Sequence, residues 1–256
     1  MSAFVSGKDR QQQITQLVER QQRISVADLC KLFSISEATA RRDLEALAQQ
    51  GKVDRVHGGA ISISNAPPEL PILDREKEEN EAKRQIGQAA SGLIQEGETI
   101  FLGSGTTVLE LARILKTRKG LTIITNSLPV LNQLSGTENT IVCLGGVLRL
   151  TELSFIGHIT EQSLAEVRTD KVFIGTRGIS LEHGLTNDYL PETLTDRAIL
   201  RAGIEIIILA DHVKFGRVAT AMLAPVESVN TIITDKLTSK DFIRDLENLG
   251  LRVMVG

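Results

Sequence analysis

Five short polar segments have residue types suited to holding an anionic ligand. Gly103-Ser104-Gly105-Thr106-Thr107 joins an apolar run, Thr99–Leu102, to an amphipathic stretch, Val108–Lys116. A strand-to-helix turn aims unpaired N–H groups and the positive helix end at one point. Small residues let an anion approach that backbone, and three hydroxyls stand beside it. The turn lacks the Lys of a Walker loop, which argues against an NTPase. Taken alone it also reads as an ordinary βα turn. Asn126-Ser127, Gly145-Gly146, Gly175-Thr176-Arg177-Gly178 and Asp211-His212-Val213-Lys214 each follow another apolar run. Ligands of open parallel sheets sit at the carboxyl ends of strands, so these loops are expected to converge. Asp211 and Lys214 either pair to fix a loop or touch ligand. The four histidines, His57, His158, His183 and His212, are scattered without HExxH spacing, and His158 and His183 read as loop residues. No local Ser-His-Asp set appears. No metal or cofactor is expected. Cys30 and Cys143 fall at core positions and read as inert thiols.

A second chemistry is carried near the start. Ser36 precedes a helical pattern whose inner face is Ala40, Leu44, Leu47 and Ala48, with Gly51 after it as a stop. At 100° per residue, Ala38, Arg42, Glu45 and Gln49 lie opposite, with Arg41 on the flank. Such a helix fits the DNA major groove, N-terminal residues against base edges. Arg42 there reaches either guanine O6/N7 or phosphate, and Ser36 with the free helix amides suits a phosphate. Arg55, His57 and Gly58 fall on a Gly-tipped hairpin that would touch backbone or minor groove.

The elements that must position these residues fall into two sets. Ile14, Leu17 and Val18 give a first helix one apolar face. Ser25 caps a second helix whose Val26, Leu29, Cys30 and Phe33 recur at i, i+3, i+4, i+7. Short strands are expected over Lys52–Arg55 and Ala60–Ile63. These features read as a winged helix-turn-helix over residues 1–62. Residues 63–74 form a Pro-rich linker, since Ser62 to Pro71 holds three of the six prolines. Residues 75–256 then alternate strand and helix. Strands are expected at Thr99–Leu102, Leu121–Thr125, Thr140–Leu144, Lys171–Ile174, Glu205–Ala210, Val229–Thr234 and Arg252–Val255. Helices are expected at Val108–Lys116, Pro129–Leu134, Thr160–Val167, Glu192–Ala202 and Asp241–Leu249. The fold class is therefore α/β, with a mostly parallel sheet covered on both faces.

Composition agrees with that division. The 256 residues suit two domains, and 41% apolar with 24% charged residues is a globular balance. Aromatics reach only 3%, so the core must be aliphatic. Residues 1–60 carry a net charge of +2 and residues 61–256 one of −5. A basic head on an acidic body suits a DNA module joined to something else. No apolar run is long enough to span a bilayer and no signal-peptide core opens the chain, so a cytoplasmic location is expected.

The run Ser36-Glu37-Ala38-Thr39-Ala40-Arg41-Arg42-Asp43-Leu44, followed by Gly51 and Arg55-Val56-His57-Gly58-Gly59-Ala60, resembles the N-terminal signature of DeoR-type bacterial transcription regulators. It departs at Ala40, where the family usually carries a larger aliphatic residue. The resemblance implies base or phosphate contacts from Ser36, Thr39, Arg41 and Arg42. Residues 75–256 resemble the same family's effector domain, itself similar to ribose-5-phosphate isomerase. The matching pieces are the GSGTT turn, Thr125-Asn126-Ser127, Leu144-Gly145-Gly146, Phe173-Ile174-Gly175, Gly184-Leu185-Thr186 and Ala210-Asp211-His212 with Lys214-Phe215. The family often has Asp at Gly103 and an acid at Arg177. A cation at 177 suits binding an anion better than abstracting a proton. The implied protein is no enzyme but a repressor of sugar metabolism genes. It would bind double-stranded operator DNA, respond to a phosphorylated sugar and self-associate as a dimer or tetramer. Its effector would meet Gly103–Thr107, Asn126, Gly145, Gly146, Arg177, Asp211 and Lys214. The alternatives are a sugar-phosphate isomerase-like enzyme with an accessory DNA-binding head, and an architectural DNA binder with a purely oligomerising body.

Overall fold

The computed structural model describes residues 7–21, 23–50, 52–56, 59–62, 71–75 and 78–256. The chain divides into two compact units between Glu69 and Leu70.

The first unit runs α1 (Gly7–Gln21), β1 (Arg23–Ser25), α2 (Val26–Phe33), α3 (Glu37–Gln49), β2 (Val53–Val56) and β3 (Gly59–Ser62). Serines start both shorter helices. Ser25 Oγ accepts the Asp28 amide at 3.1 Å, and Ser36 Oγ accepts the Thr39 amide at 3.3 Å. Ser34, in the left-handed region at φ 53°, turns the chain between α2 and α3. Ile14, Val18, Leu29, Ala40, Leu44, Leu47 and Val53 form one buried cluster, so the inner face expected for α3 is the inner face observed. Gly51, expected as the stop of this helix, lies outside the described residues; α3 is followed by Gln50 in helical geometry. Strand β1 was not legible in the pattern. It pairs antiparallel with β3, Ser25 opposite Gly59, and makes the hairpin a three-stranded sheet. A Cβ on Gly59 would overlap the Ile24 carbonyl, so close strand approach, not a positive φ, demands glycine there.

The second unit begins with α4 (Ile72–Arg75) and α5 (Asn80–Ser91). It continues through β4 (Thr99–Leu102), α6 (Thr106–Leu115), β5 (Thr122–Thr125), α7 (Leu128–Leu134) and β6 (Thr140–Cys143). A hairpin of β7 (Val147–Arg149) and β8 (Ser154–Ile156) precedes α8 (His158–Ala165) and β9 (Thr169–Gly175). Then come β10 (Gly178–Ser180), β11 (Gly184–Asn187), α9 (Leu190–Ala202), β12 (Gly203–Leu209), β13 (Ala221–Ala224), β14 (Thr231–Thr234), α10 (Lys240–Asn248) and β15 (Arg252–Val255). The segment expected to be linker through residue 74 thus holds α4, whose Ile72 is buried.

Seven of these strands form one parallel sheet in the order β15-β14-β12-β9-β4-β5-β6. Side chains alternate across it. Ile100, Leu102 and Phe173 meet Ile86, Leu111 and Val130 of α5, α6 and α7 on one face. Phe101, Val172 and Ile174 meet Leu164, Ile199 and Leu246 of α8, α9 and α10 on the other. The strand order reverses between β4 and β9. A crevice therefore opens at their carboxyl ends, where helix connections leave on opposite sides. Cys143, expected in the core, is exposed because β6 is an edge strand; Cys30 is half-buried. The β7–β8 hairpin and the small antiparallel sheet β10-β11-β13 add structure that the strand–helix alternation did not foretell.

Candidate DNA interface and effector site

On α3, Ala38, Arg42 and Glu45 are exposed opposite the buried face. Arg42 forms no ion pair among the described residues, while Arg41 is engaged with Glu37 at 3.3 Å, one turn back. Ser36 is exposed, and its Oγ lies 2.9 Å from Thr39 Oγ1. Asp43, next in sequence, turns inward. Its carboxylate accepts from Arg10 Nε at 2.7 Å and from Gln11 Nε2 at 3.1 Å, fixing α3 against α1. Sequence reasoning passed over this clamp, although Asp43 sits beside the apolar Leu44 on the inner side of the helix. Arg55 lies in β2 opposite Ala60, and His57 and Gly58 lie outside the described residues.

In the body, Gly103 to Thr107 occupies the switch point between β4 and β9. The Gly103 amide donates to the Phe173 carbonyl at 2.9 Å, which locks the start of the loop to β9. Gly105 precedes α6 at φ +112°, a conformation that strains any residue with a Cβ. Ser104 to Val108 have backbone N–H groups without hydrogen-bond partners among the described residues, and Gly105 supplies no capping side chain. Five donors at a positive helix end make an anion cradle.

Around this turn the fold gathers charge from distant elements. Glu192, at the start of α9, accepts from Ser154 Oγ at 2.6 Å and Ser104 Oγ at 3.4 Å, and pairs with Arg149. Glu152, in the β7–β8 turn, takes both Arg75 and Arg177 on one carboxylate oxygen. Arg177 also lies 3.7 Å from Asp188. Arg177, expected to meet an anionic ligand, is held between these two acids. Burial pushes the Glu192 carboxyl up, with Glu152 adding to the effect. Burial also raises the Asp196 carboxyl, one turn on, well above its usual range, with Glu192 and Glu152 contributing. Burial lowers the Lys214 ammonium, and Asp211 partly opposes that.

Three buried acceptors face no donor among the described residues: Asn126 Oδ1, Asp188 Oδ1 and Asp211 Oδ1. Asn126 is held by its own Nδ2, which donates to the Phe155 carbonyl at 2.9 Å. Asp211 and Lys214 form no ion pair among the described residues; the Lys214 amide instead caps the Asp211 carbonyl at 3.0 Å. Buried polar atoms are nearly always paired, so unpaired acceptors beside a polar crevice suit ligand hydroxyls. Gly145 and Gly146 are tied elsewhere. The Gly145 carbonyl accepts from Thr160 Oγ1 at 2.8 Å, and a Cβ on Gly146 would overlap that hydroxyl. Their contacts run to α8 and the hairpin rather than to the charged cluster. His212 pairs with Asp235 at 3.1 Å. Among the described residues no group of three or more His, Cys, Asp and Glu is arranged to hold a metal ion.

A winged helix-turn-helix joined to an α/β body with a polar crevice defines a two-domain DNA-binding regulator. Two sequence profiles match in the same order: a DeoR-like helix-turn-helix domain over residues 10–66 and a DeoR C terminal sensor domain over residues 78–236. The chain belongs to the DeoR family of transcriptional regulators. It is 35% identical to the transcriptional repressor AccR of Agrobacterium fabrum, covering 92% of each chain. It is 32% identical to a putative aga operon transcriptional repressor of Escherichia coli O157:H7, covering 96% of this chain and 93% of that one. A solved ribose 5-phosphate isomerase A from Methanocaldococcus jannaschii is similar at 19% identity and a TM-score of 0.41, over 54% of this chain and 55% of that one. That distant likeness carries no chemistry. The chain is a regulator and not an enzyme, as its full-length relatives are regulators. Among the described residues no helix is long and apolar enough to cross a membrane.

Proposed function

We propose that this protein is a cytoplasmic repressor of sugar metabolism genes that binds operator DNA through α3 and is controlled by a phosphorylated sugar in its body. The observation that carries the effector reading is the pairing of chemistries at the switch point. Free amides at Ser104 to Val108 suit a phosphate, with Lys214 adding positive charge, while the unpartnered Asn126 Oδ1 and Asp211 Oδ1 suit hydroxyl donors. The test is operator binding titrated with ribose 5-phosphate, fructose 6-phosphate and glycerol 3-phosphate beside their unphosphorylated parents. At least one phosphate is expected to change operator affinity about 5- to 150-fold, the usual range of allosteric coupling. Parents acting as strongly as phosphates would overturn the reading.

Arg42 is the base-reading candidate. Arg42→Ala is expected to weaken specific binding by about 1–3 kcal/mol if it meets guanine. If it meets phosphate alone, binding falls evenly across sequences and the salt slope shrinks by about one. Unchanged affinity and slope would remove Arg42 from the interface.

A single small helix-turn-helix commonly works as one of a symmetric pair about one DNA turn apart. Leu190 and Leu194, one turn apart on α9, are about half exposed, as is Met222 on β13. Arg197 of α9 donates to the Leu223 carbonyl at 3.3 Å, so these apolar residues share one surface region. We expect a homo-oligomer, dimer or tetramer, at micromolar concentration. Sedimentation of the full-length protein as a monomer would contradict this.

A further inference from the structure

The first element of the body, α4, buries Ile72 and is further anchored by charged residues of the effector crevice. The Ile72 amide donates to the Thr151 carbonyl at 2.8 Å. The Arg75 guanidinium donates to the carboxylate of Glu152, the next residue of the same turn. Lys83 of α5 donates its ammonium to the Arg75 carbonyl at 2.8 Å and to the Glu78 carbonyl. Two of these anchors also serve the crevice. The Glu152 oxygen that holds Arg75 holds Arg177 as well, and Lys83 lies within the electrostatic reach of Asp211. In chain order α4 follows directly on residues 63–70, which connect it to the DNA-binding head.

We infer that α4 is the latch that couples the two units: an anion in the crevice competes with Glu152 for Arg177 and Arg75, and loss of the Glu152 contact loosens α4, the element that joins the body to the segment leading to the head. This rests on the reading of the crevice as an anionic effector site. The charge balance gives it direction. Glu152 and Glu192 already share a buried space with Arg75, Arg149 and Arg177. The guanidinium groups that hold Glu152 also attract a further negative charge there, and the shared oxygen of Glu152 is where the competition falls. A merely structural staple would not need ions, since Ile72 already buries an apolar anchor.

The test uses the full-length protein and a duplex that it selects in vitro. Arg75→Met removes the guanidinium and keeps an unbranched side chain; Arg75→Lys keeps the charge. Without any added sugar phosphate, Arg75→Met is expected to weaken operator binding at least fivefold and to speed amide exchange in residues 72–75 at least tenfold. Arg75→Lys should recover much of both. If Arg75→Met leaves the body unfolded, Glu152→Gln, which keeps the shape and removes the charge, is read in its place. Operator affinity and exchange both at wild-type values would overturn the latch. The sugar-phosphate panel separates this from the effector reading. If phosphates act on wild type and on Arg75→Met by the same factor, the latch is wrong and the effector site stands. If Arg75→Met weakens operator binding while no phosphate affects wild type, the latch stands and the sugar-phosphate assignment fails.

Discussion

Replacing Leu44 by Ala is expected to destabilise the head by about 2–5 kcal/mol and to abolish operator binding while the body stays folded. Leu44 is fully buried on α3, packed in one cluster with Ile14, Val18, Leu29 and Leu47. Its neighbour one turn back is Ala40, whose methyl group cannot fill the space that the lost side chain leaves. A unit of some sixty residues has a total stability of roughly 3–9 kcal/mol, at about 0.05–0.15 kcal/mol per residue. The loss is therefore comparable with everything the head has. No disulfide compensates, Cys30 being a free thiol. Calorimetry of the full-length protein should show the head's transition lowered by at least about 8 °C, on the usual 4–8 °C per kcal/mol for so small a unit. The body, a separate compact unit, should melt unchanged. Arg42→Ala supplies the contrast, since it should weaken binding without moving either transition. Wild-type melting and operator affinity in Leu44→Ala would show that α3 does not pack as described.

What the sequence made legible, and what it did not, follows from the range of the interactions involved. The inner face of α3 could be read because Ala40, Leu44 and Leu47 recur at the helical period and the capping Ser36 is three residues from the amide that donates to it. The central strands could be read because β4, β9 and β12 are buried on both faces and so are continuous apolar runs. The turn Gly103–Thr107 could be read because a strand, small residues and a helix follow one another directly. The charged half of the crevice could not. Ser154 and Glu192 are 38 residues apart, and Arg75 and Glu152 are 77 apart. Nothing local distinguishes Glu192 and Asp196 from the solvated face of an amphipathic helix; packing sets Glu192 against Ser154 and Arg149 of the β7–β8 hairpin and Asp196 against Asn187 of β11. Strand β1 escaped because three residues carry no period, and Cys143 was misplaced because an edge strand and a central strand share the same apolar pattern.

Thr106→Asp is expected to abolish the response to sugar phosphates and to leave operator binding within about threefold of wild type. Thr106 is the first residue of α6 and is 6% exposed, directly at the unpaired amides from Ser104 to Val108. A carboxylate at that position is tolerated by the helix, because the free N–H groups and the positive helix end stabilise negative charge in the first turn. The same groups are then no longer available to a ligand. The repulsion is large as well: two unit charges about 4 Å apart cost about 4 kcal/mol at an effective dielectric constant near 20, close to a thousandfold in affinity. A phosphate dianion fares worse. The new carboxylate is held by the turn's own amides and is not expected to compete for Arg75, so operator binding through α3 is spared. Thr106→Ser keeps the hydroxyl and adds no charge, and should respond as wild type does. The measurement is operator binding of all three proteins across the phosphate panel, up to a hundred times the concentration that saturates wild type. Coupling is reciprocal, so wild type should also bind the effector more weakly or more tightly in the presence of operator by the same factor, while Thr106→Asp shows no effector binding in either condition. A Thr106→Asp protein that responds with wild-type affinity would place the phosphate elsewhere in the crevice and withdraw the Gly103–Thr107 turn from the site.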